Sequence, residues 1–286
     1  MDQAETLRKM RSGSSADAGT LKQHVKGIAV ASGKGGVGKT NIVANMALEL
    51  SRKGHRVLIF DADMGLGNIH ILLGIAPRFN VAHVLTGVKK LKEILIDGPN
   101  GIKILPASTG NKKYSELTAE EKLVLKSELE VVQDDFDYIL FDIGAGISAN
   151  VMFFCSAAQD IIVIASPEPT SFSDAYAMMK VLSRDYKVKS FHLIVNSCRD
   201  RQEATHIYKR LVMVSDKFSL GIRIDFLGHI VMDACVSQAV RKQRLFTDLF
   251  PGAEASKNIV GIVDTLVKTV GTGGVEWDNI FRGENA

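Results

Sequence analysis

A chain of 286 residues with 46% hydrophobic side chains is long enough for one large α/β domain and carries ample apolar material for its core. Its formal charge of +3 argues against a strongly basic nucleic-acid face, and no apolar run reaches the roughly 18 residues of a membrane span. The three scattered cysteines, Cys155, Cys198 and Cys235, lack CxxC spacing, which argues against a disulfide framework or a zinc site and reads as buried free thiols.

In chain order, Asp2 to Arg11 is a short helix candidate and Ser12 to Gly19 a flexible Ser/Gly-rich linker. This start is polar rather than a basic region followed by an apolar run, so no secretory signal is expected and the chain is expected to stay in the cytoplasm. Leu7 is the one large apolar side chain among residues 2–8. Such a segment cannot secure itself to a core and is expected to order only on a partner. The division expected is a partner-binding segment and linker over 1–25, a globular domain over 26–270 and a tail over 271–286. Within the domain, β-branched apolar runs at 28–31, 57–60, 102–105, 138–141, 161–165, 191–195 and 226–230 alternate with helical patterns. That alternation predicts an α/β fold, with a mostly parallel sheet of about seven or eight strands covered by helices on both faces.

The first of these strands runs into Gly33-Lys34-Gly35-Gly36-Val37-Gly38-Lys39-Thr40, which has the spacing GxxxxGK followed by Ser or Thr. A helix over 39–53 follows, with Ile42, Val43, Met46, Ala47 and Leu50 at helical spacing. Strand, glycine loop and helix together are the context a phosphate-binding loop requires. Glycines let successive backbone N–H groups point at phosphate oxygens, and the helix dipole adds to the same anion site. In such a loop Lys39 reaches the β- and γ-phosphates of ATP and the Thr40 hydroxyl ligates Mg²⁺.

Two acidic strand ends extend the pattern. Asp61 and Asp63 close the second strand, followed by the glycine-bearing Met64-Gly65-Leu66-Gly67-Asn68, a loop able to move with the γ-phosphate. Asp142 closes the run 138–141, as a carboxylate on the Mg²⁺ side of a nucleotide does. Near the end, Val275 to Arg282 is a two-turn helix candidate carrying the single tryptophan and one basic residue. That leaves membrane contact and packing against the domain equally open.

Lys34 gives the loop the deviant form KGGVGKT, and here the chain resembles the MinD/ParA superfamily of ATPases. Further residues carry the resemblance: Asp61-Ala62-Asp63 with Gly65-Leu66-Gly67-Asn68, Phe141 to Gly146, Pro167-Glu168-Pro169-Thr170 and Asp174-Ala175-Tyr176-Ala177. With Asp2-Gln3-Ala4, Leu7 and Arg8 at the start, they resemble the FlhG (FleN) branch, regulators of bacterial flagellar number. The resemblance implies that Lys34 acts across a homodimer formed with ATP, Asp63 orients the attacking water and contacts the metal side, Asp142 serves Mg²⁺, and Asn196 reads the adenine edge. It further implies that Arg199 stacks on the base and that Glu168 meets the partner subunit's nucleotide. Where the family places a proline beside the base, this chain reads His229-Ile230-Val231-Met232-Asp233.

The branch implies partners as well. Asp2, Gln3, Ala4, Leu7 and Arg8 would engage an FlhF-type signal-recognition GTPase and stimulate its hydrolysis, alongside a flagellar transcription activator, basal-body proteins and a peripheral contact at the inner membrane or cell pole. The alternatives are a ParA-like DNA-partitioning or MinD-like division-positioning ATPase, an iron–sulfur ATPase that would need paired cysteines near a dimer interface, and a nucleotide-binding module without hydrolysis. Asp63 and Asp142 speak against the last, and no specific nucleic acid is expected.

Overall fold

The computed structural model describes residues 25–108, 114 and 116–269. The helix candidate at 2–11, its linker and the tail from 271 onward lie outside the described residues. Eight strands form one sheet: β1 Lys26–Ser32, β2 Val57–Ala62, β3 Ile96–Asp97, β4 Lys103–Leu105, β5 Tyr138–Ala145, β6 Asp160–Ala165, β7 Ser190–Cys198 and β8 Arg223–Val231. Their order is β3-β4-β2-β5-β1-β6-β7-β8, and every pairing is parallel except that of β3 with β4. The seven expected strands are all present. The two-residue β3 is too short to leave a periodic signal in the sequence.

Eleven helices are described: α1 Lys39–Arg52, α2 Ile69–Leu72, α3 Val81–Leu85, α4 Leu91–Ile94, α5 Ala119–Val132, α6 Ala149–Ala157, α7 Pro169–Asp185, α8 Arg201–Lys217, α9 Ala234–Arg241, α10 Phe246–Leu249 and α11 Glu254–Thr269. They cover both faces of the sheet, which is why its strands read as continuous apolar runs rather than alternating ones. Ile28, Val30, Ile59, Leu140, Ile162 and Ile194 pack with α1 and α11 on one face. Their neighbours Ala29, Phe60, Phe141, Val163 and Leu193 pack with α5 to α8 on the other. Phe154 of α6 meets Phe60 edge-on at 5.3 Å between ring centroids, a favoured aromatic geometry.

Parallel strands present all their carboxyl ends at one edge. The loops after β1, β2, β5, β6 and β7 therefore converge there, although residues that meet at that edge, such as Val37 and Asn196, are as far as 159 positions apart. Among the described residues no helix is long and apolar enough to cross a membrane.

Candidate nucleotide site

Several helices carry a side-chain cap at their start, and the helix after the glycine loop does not. Thr118, Ser148, Asp200 and Asp233 each cap the helix that follows with a side-chain oxygen. By contrast, α1 begins at Gly38, in the left-handed region at φ 87°, with no side-chain cap and no acidic residue in its first turn. Its first N–H groups are left for an anion supplied from outside. They face a cleft of about 960 Å³ lined by Gly35 to Asn41, Ala62 to Leu66, Gly144, Ala145 and Ser148. That volume is at the upper end of the range for small-molecule sites, roughly 300–1,000 Å³.

Behind the loop lies a buried charge cluster. Lys39 Nζ donates to Asp142 Oδ1 at 3.1 Å, with the two side chains 10% and 2% exposed. Asp61 stands beside Asp142 in the β2–β5 register; its Oδ2 accepts from the Ile69 N–H at 3.2 Å, while its buried Oδ1 has no partner among the described residues. Burial first, and the charge of Asp142 next, push the Asp61 carboxyl well above the usual carboxylate range. Asp63 lines the cleft and its Oδ1 accepts from the Leu66 N–H at 3.2 Å, which ties the carboxylate to the glycine-bearing loop.

Lys34 is placed elsewhere. Its ammonium donates to Glu168 and, at 3.3 Å, to the Thr170 hydroxyl, both at the start of α7 and beside the cleft rather than in it. Gly33 makes this approach possible, because a Cβ there would lie 2.3 Å from the Asp174 backbone. Asn196, at the end of β7, reaches the loop from the other side: Nδ2 donates to the Val37 carbonyl at 2.7 Å. A second cleft of about 430 Å³ opens next to Asn196, lined also by Ser197, Met232, Val236, Val240 and Arg241.

The structure thus gathers Gly35, Gly36, Val37, Gly38, Lys39, Thr40, Asp63 and Asp142 into one site, sets Lys34 and Glu168 together at its flank, and places Asn196 between the two clefts. Arg199 is not brought in: its backbone N–H and Nε both bond Glu203, and its side chain is 82% exposed. The walls of the second cleft carry no motif; the missing family proline beside 231–233 was the one sequence signal that this wall is individual to the chain. The three cysteines are buried. Desolvation pushes the Cys155 and Cys235 thiols up to about 12 and that of Cys198 to about 11.

A parallel sheet flanked by helices, with a glycine loop, an uncapped helix start and a buried Lys–Asp pair at its carboxyl edge, defines a P-loop nucleoside triphosphatase. A family profile described as an AAA domain matches residues 25–193. The chain is 38% identical over 232 residues to antiactivator FleN of Pseudomonas aeruginosa, covering 81% of this chain and 82% of that one. It is 34% identical over 255 residues to flagellum site-determining protein YlxH of Helicobacter pylori, covering 89% and 86%. The fold matches the septum site-determining protein MinD of Pyrococcus horikoshii, solved with Mg-ADP, at a TM-score of 0.69 and 21% identity over 86% of this chain and 98% of that one. The chain belongs to the MinD/ParA family of ATPases, in its FleN/FlhG branch, and is an ATP-hydrolysing enzyme.

Proposed function

We propose that this ATPase is a dimerising switch that regulates flagellar number and placement in bacteria. The flagellar assignment is supported by the likeness to FleN and YlxH over more than four-fifths of the chain. The switch is supported chiefly by one observation: Lys39 already serves the phosphate cleft through its pair with Asp142, while Lys34 stands outside that cleft on Glu168 and Thr170. A second lysine beside the phosphates of a neighbouring copy would make dimer lifetime depend on the γ-phosphate.

The residues suit ATP with Mg²⁺. The uncapped start of α1 offers N–H donors to phosphates, and the Thr40 hydroxyl with the Asp63 and Asp142 carboxylates provides the hard oxygen donors Mg²⁺ takes. Among the described residues no three His, Cys, Asp or Glu side chains form a metal cluster. Mg²⁺ is commonly held by one or two side chains, phosphates and water rather than by such a cluster. When bound, the ion supplies charge neutralisation at the phosphates.

Hydrolysis breaks the bond from the γ-phosphorus to the β–γ bridging oxygen and forms one to a water oxygen, giving ADP and phosphate. In this reading Asp63 orients the water, Lys39 and the loop N–H groups balance charge on the phosphate oxygens, and Lys34 of the second copy contributes from across the interface. Gel filtration tests the switch: wild type should elute as a dimer with ATP and a monomer with ADP, and Lys34→Ala should stay monomeric with both. A Lys34→Ala dimer with ATP overturns it.

The resemblance also supports a role for the first eight residues in stimulating an FlhF-type GTPase. A peptide of residues 1–20 should accelerate that GTPase by itself, and Gln3→Ala or Leu7→Ala should weaken the effect; unchanged stimulation after deletion of residues 1–10 removes the assignment. Liposome sedimentation with ATP, comparing the full chain with one ending at Gly271, tests the tail, and equal pelleting removes it from any membrane role. A DNA mobility shift that collapses with salt would favour a partitioning function instead.

A further inference from the structure

We propose that the outer face of α5 is a docking strip for residues 7–11 of this same chain, so that the start of the protein has a seat on its own domain. The strip lies outside the nucleotide clefts, and the docking holds whichever partner the start engages.

α5 keeps its lysines inside and part of its apolar surface outside. Lys122 is 8% exposed, with its ammonium 5.2 Å from the Phe153 ring centroid, and the Lys126 side chain is 17% exposed. Leu125, Leu129 and Val132 complete the buried side. On the opposite side Leu123 is 51%, Val124 37% and Val131 76% exposed. At about 100° per residue, these three fall with Ser127 on an arc of about 100°, and Glu120 and Glu130 lie on or beside the same arc. A single exposed Leu or Val needs no explanation. Three on one stripe of a 14-residue helix make a patch that a partner can cover.

The point where the chain enters the domain indicates the occupant. Val25 packs in the same core as Val132 and Phe136, and the Lys26 N–H donates to the Asp137 carbonyl at 2.9 Å, just past the end of α5. Everything before Val25 therefore leaves the domain beside the C-terminal end of α5. Thirteen residues, 12–24, separate Arg11 from Val25. A Ser/Gly-rich run of that length spans about 20 Å on average, and a helix of α5's length is about 21 Å long. The segment brought there, outside the described residues, reads Leu7-Arg8-Lys9-Met10-Arg11. Leu7 and Met10, three positions apart, share one side of a helix and offer apolar surface to Leu123, Val124 and Val131. The three cations meet Glu120 and Glu130. Charge also sets aside the simplest rival, because α5 of a second copy would bring carboxylates against carboxylates.

Trypsin reads this docking directly. It cuts after Arg8, Lys9 and Arg11, and the cleavage rate follows the fraction of time the segment is off the domain when docking is fast. In the full chain, cleavage at these three sites should run about 5-fold slower than in a peptide of residues 1–20. Val131→Arg, at a position exposed enough to leave the core alone, should bring the rate to within about 2-fold of the peptide. Leu7→Ser should do the same from the segment's side, each rate being taken against the peptide of matching sequence. Met213→Arg changes a similarly exposed apolar residue on α8 and should leave the protection whole. Equal cleavage of wild type and peptide overturns the proposal, as does protection that survives either Val131→Arg or Leu7→Ser, or that is lost equally in Met213→Arg. Protection that fades on roughly 100-fold dilution means that another copy supplies the occupant, and overturns it too. The assay uses neither nucleotide nor GTPase, so its failure leaves the ATPase switch and the stimulation of a partner standing.

Discussion

On the phosphate side of the cleft, between β1, β2 and β5, the charged groups are sealed under helices: Lys39, Asp142 and Asp61 are almost wholly buried. On the β7–β8 side they stand in solvent, with Arg199 paired to a neighbour one helical turn away and Met232 77% exposed. A charge interaction in a dry, rigid setting is stronger and costs more to disrupt than the same pair in water. The two sides should therefore respond to substitution on different scales, and the contrast can be broken by finding a large effect on the wet side or a small one on the dry side.

The largest effect belongs to Lys39. Lys39→Ala removes the cation that faces both Asp142 and the phosphate cleft and leaves the buried Asp142 carboxylate without its counter-charge. ATP hydrolysis, followed by phosphate release, should fall by about 100- to 1,000-fold, with nucleotide binding lost as well. Retention of more than a tenth of the activity would mean that the buried pair is structural. Asp63→Ala comes next, and its signature differs. Turnover should fall by about 100-fold while ATP still binds, so the ATP-bound dimer should persist on gel filtration where the wild-type dimer decays.

Glu168 sharpens the comparison because it stands at the border. Its pair with Lys34 is 63% exposed on the carboxylate side and 41% on the lysine side, so solvent screening leaves it weak. If Glu168 holds Lys34 away from a second copy, Glu168→Gln should lower the protein concentration needed for ATP-dependent dimerisation by about 2- to 5-fold, read by analytical ultracentrifugation. If Glu168 instead meets the partner's nucleotide, as the family resemblance implies, the same variant should raise that concentration. The two roles thus predict opposite signs.

How far each side could be read from the sequence follows the same division. The glycine loop, Lys39, Thr40, Asp63 and Asp142 were legible as one cluster because backbone geometry dictates their places: a loop of N–H groups before a helix needs glycines at fixed offsets, and a carboxylate at the carboxyl edge of the sheet needs the end of a parallel strand. The seven long strands were legible because burial on both faces demands unbroken apolar runs, whereas the two-residue β3 has no period to detect. The base side has no such rule. Ser197, Met232, Val236 and Val240 come from β7, the loop after β8 and α9, which meet only in the folded sheet, and side chains of many kinds can wall such a cleft. The Lys34–Glu168 and Asn196–Val37 contacts span 134 and 159 residues and were invisible as contacts, although the participating side chains were singled out. The resemblance implied that Arg199 stacks on the base; in the structure local helix geometry pairs its side chain with Glu203.

Arg199→Ala should give the smallest effect. The residue lies just before α8, whose start is capped by the Asp200 carboxylate accepting from the Glu203 N–H at 2.8 Å. That turn sets Glu203 four positions on, where its carboxylate takes the Arg199 backbone N–H at 2.7 Å and Nε at 3.1 Å. The backbone bond survives truncation to alanine; only the exposed ion pair is lost, and such pairs are worth at most about 1 kcal/mol. Stacking on a base would require the guanidinium to leave Glu203 and cross to the cleft beyond Asn196, giving up that pair for a contact at an exposed site. ATP affinity in Arg199→Ala should therefore stay within about 2-fold of wild type. A tenfold loss of affinity would place the guanidinium on the base after all, and would show that the wet side of the cleft closes over nucleotide rather than remaining open.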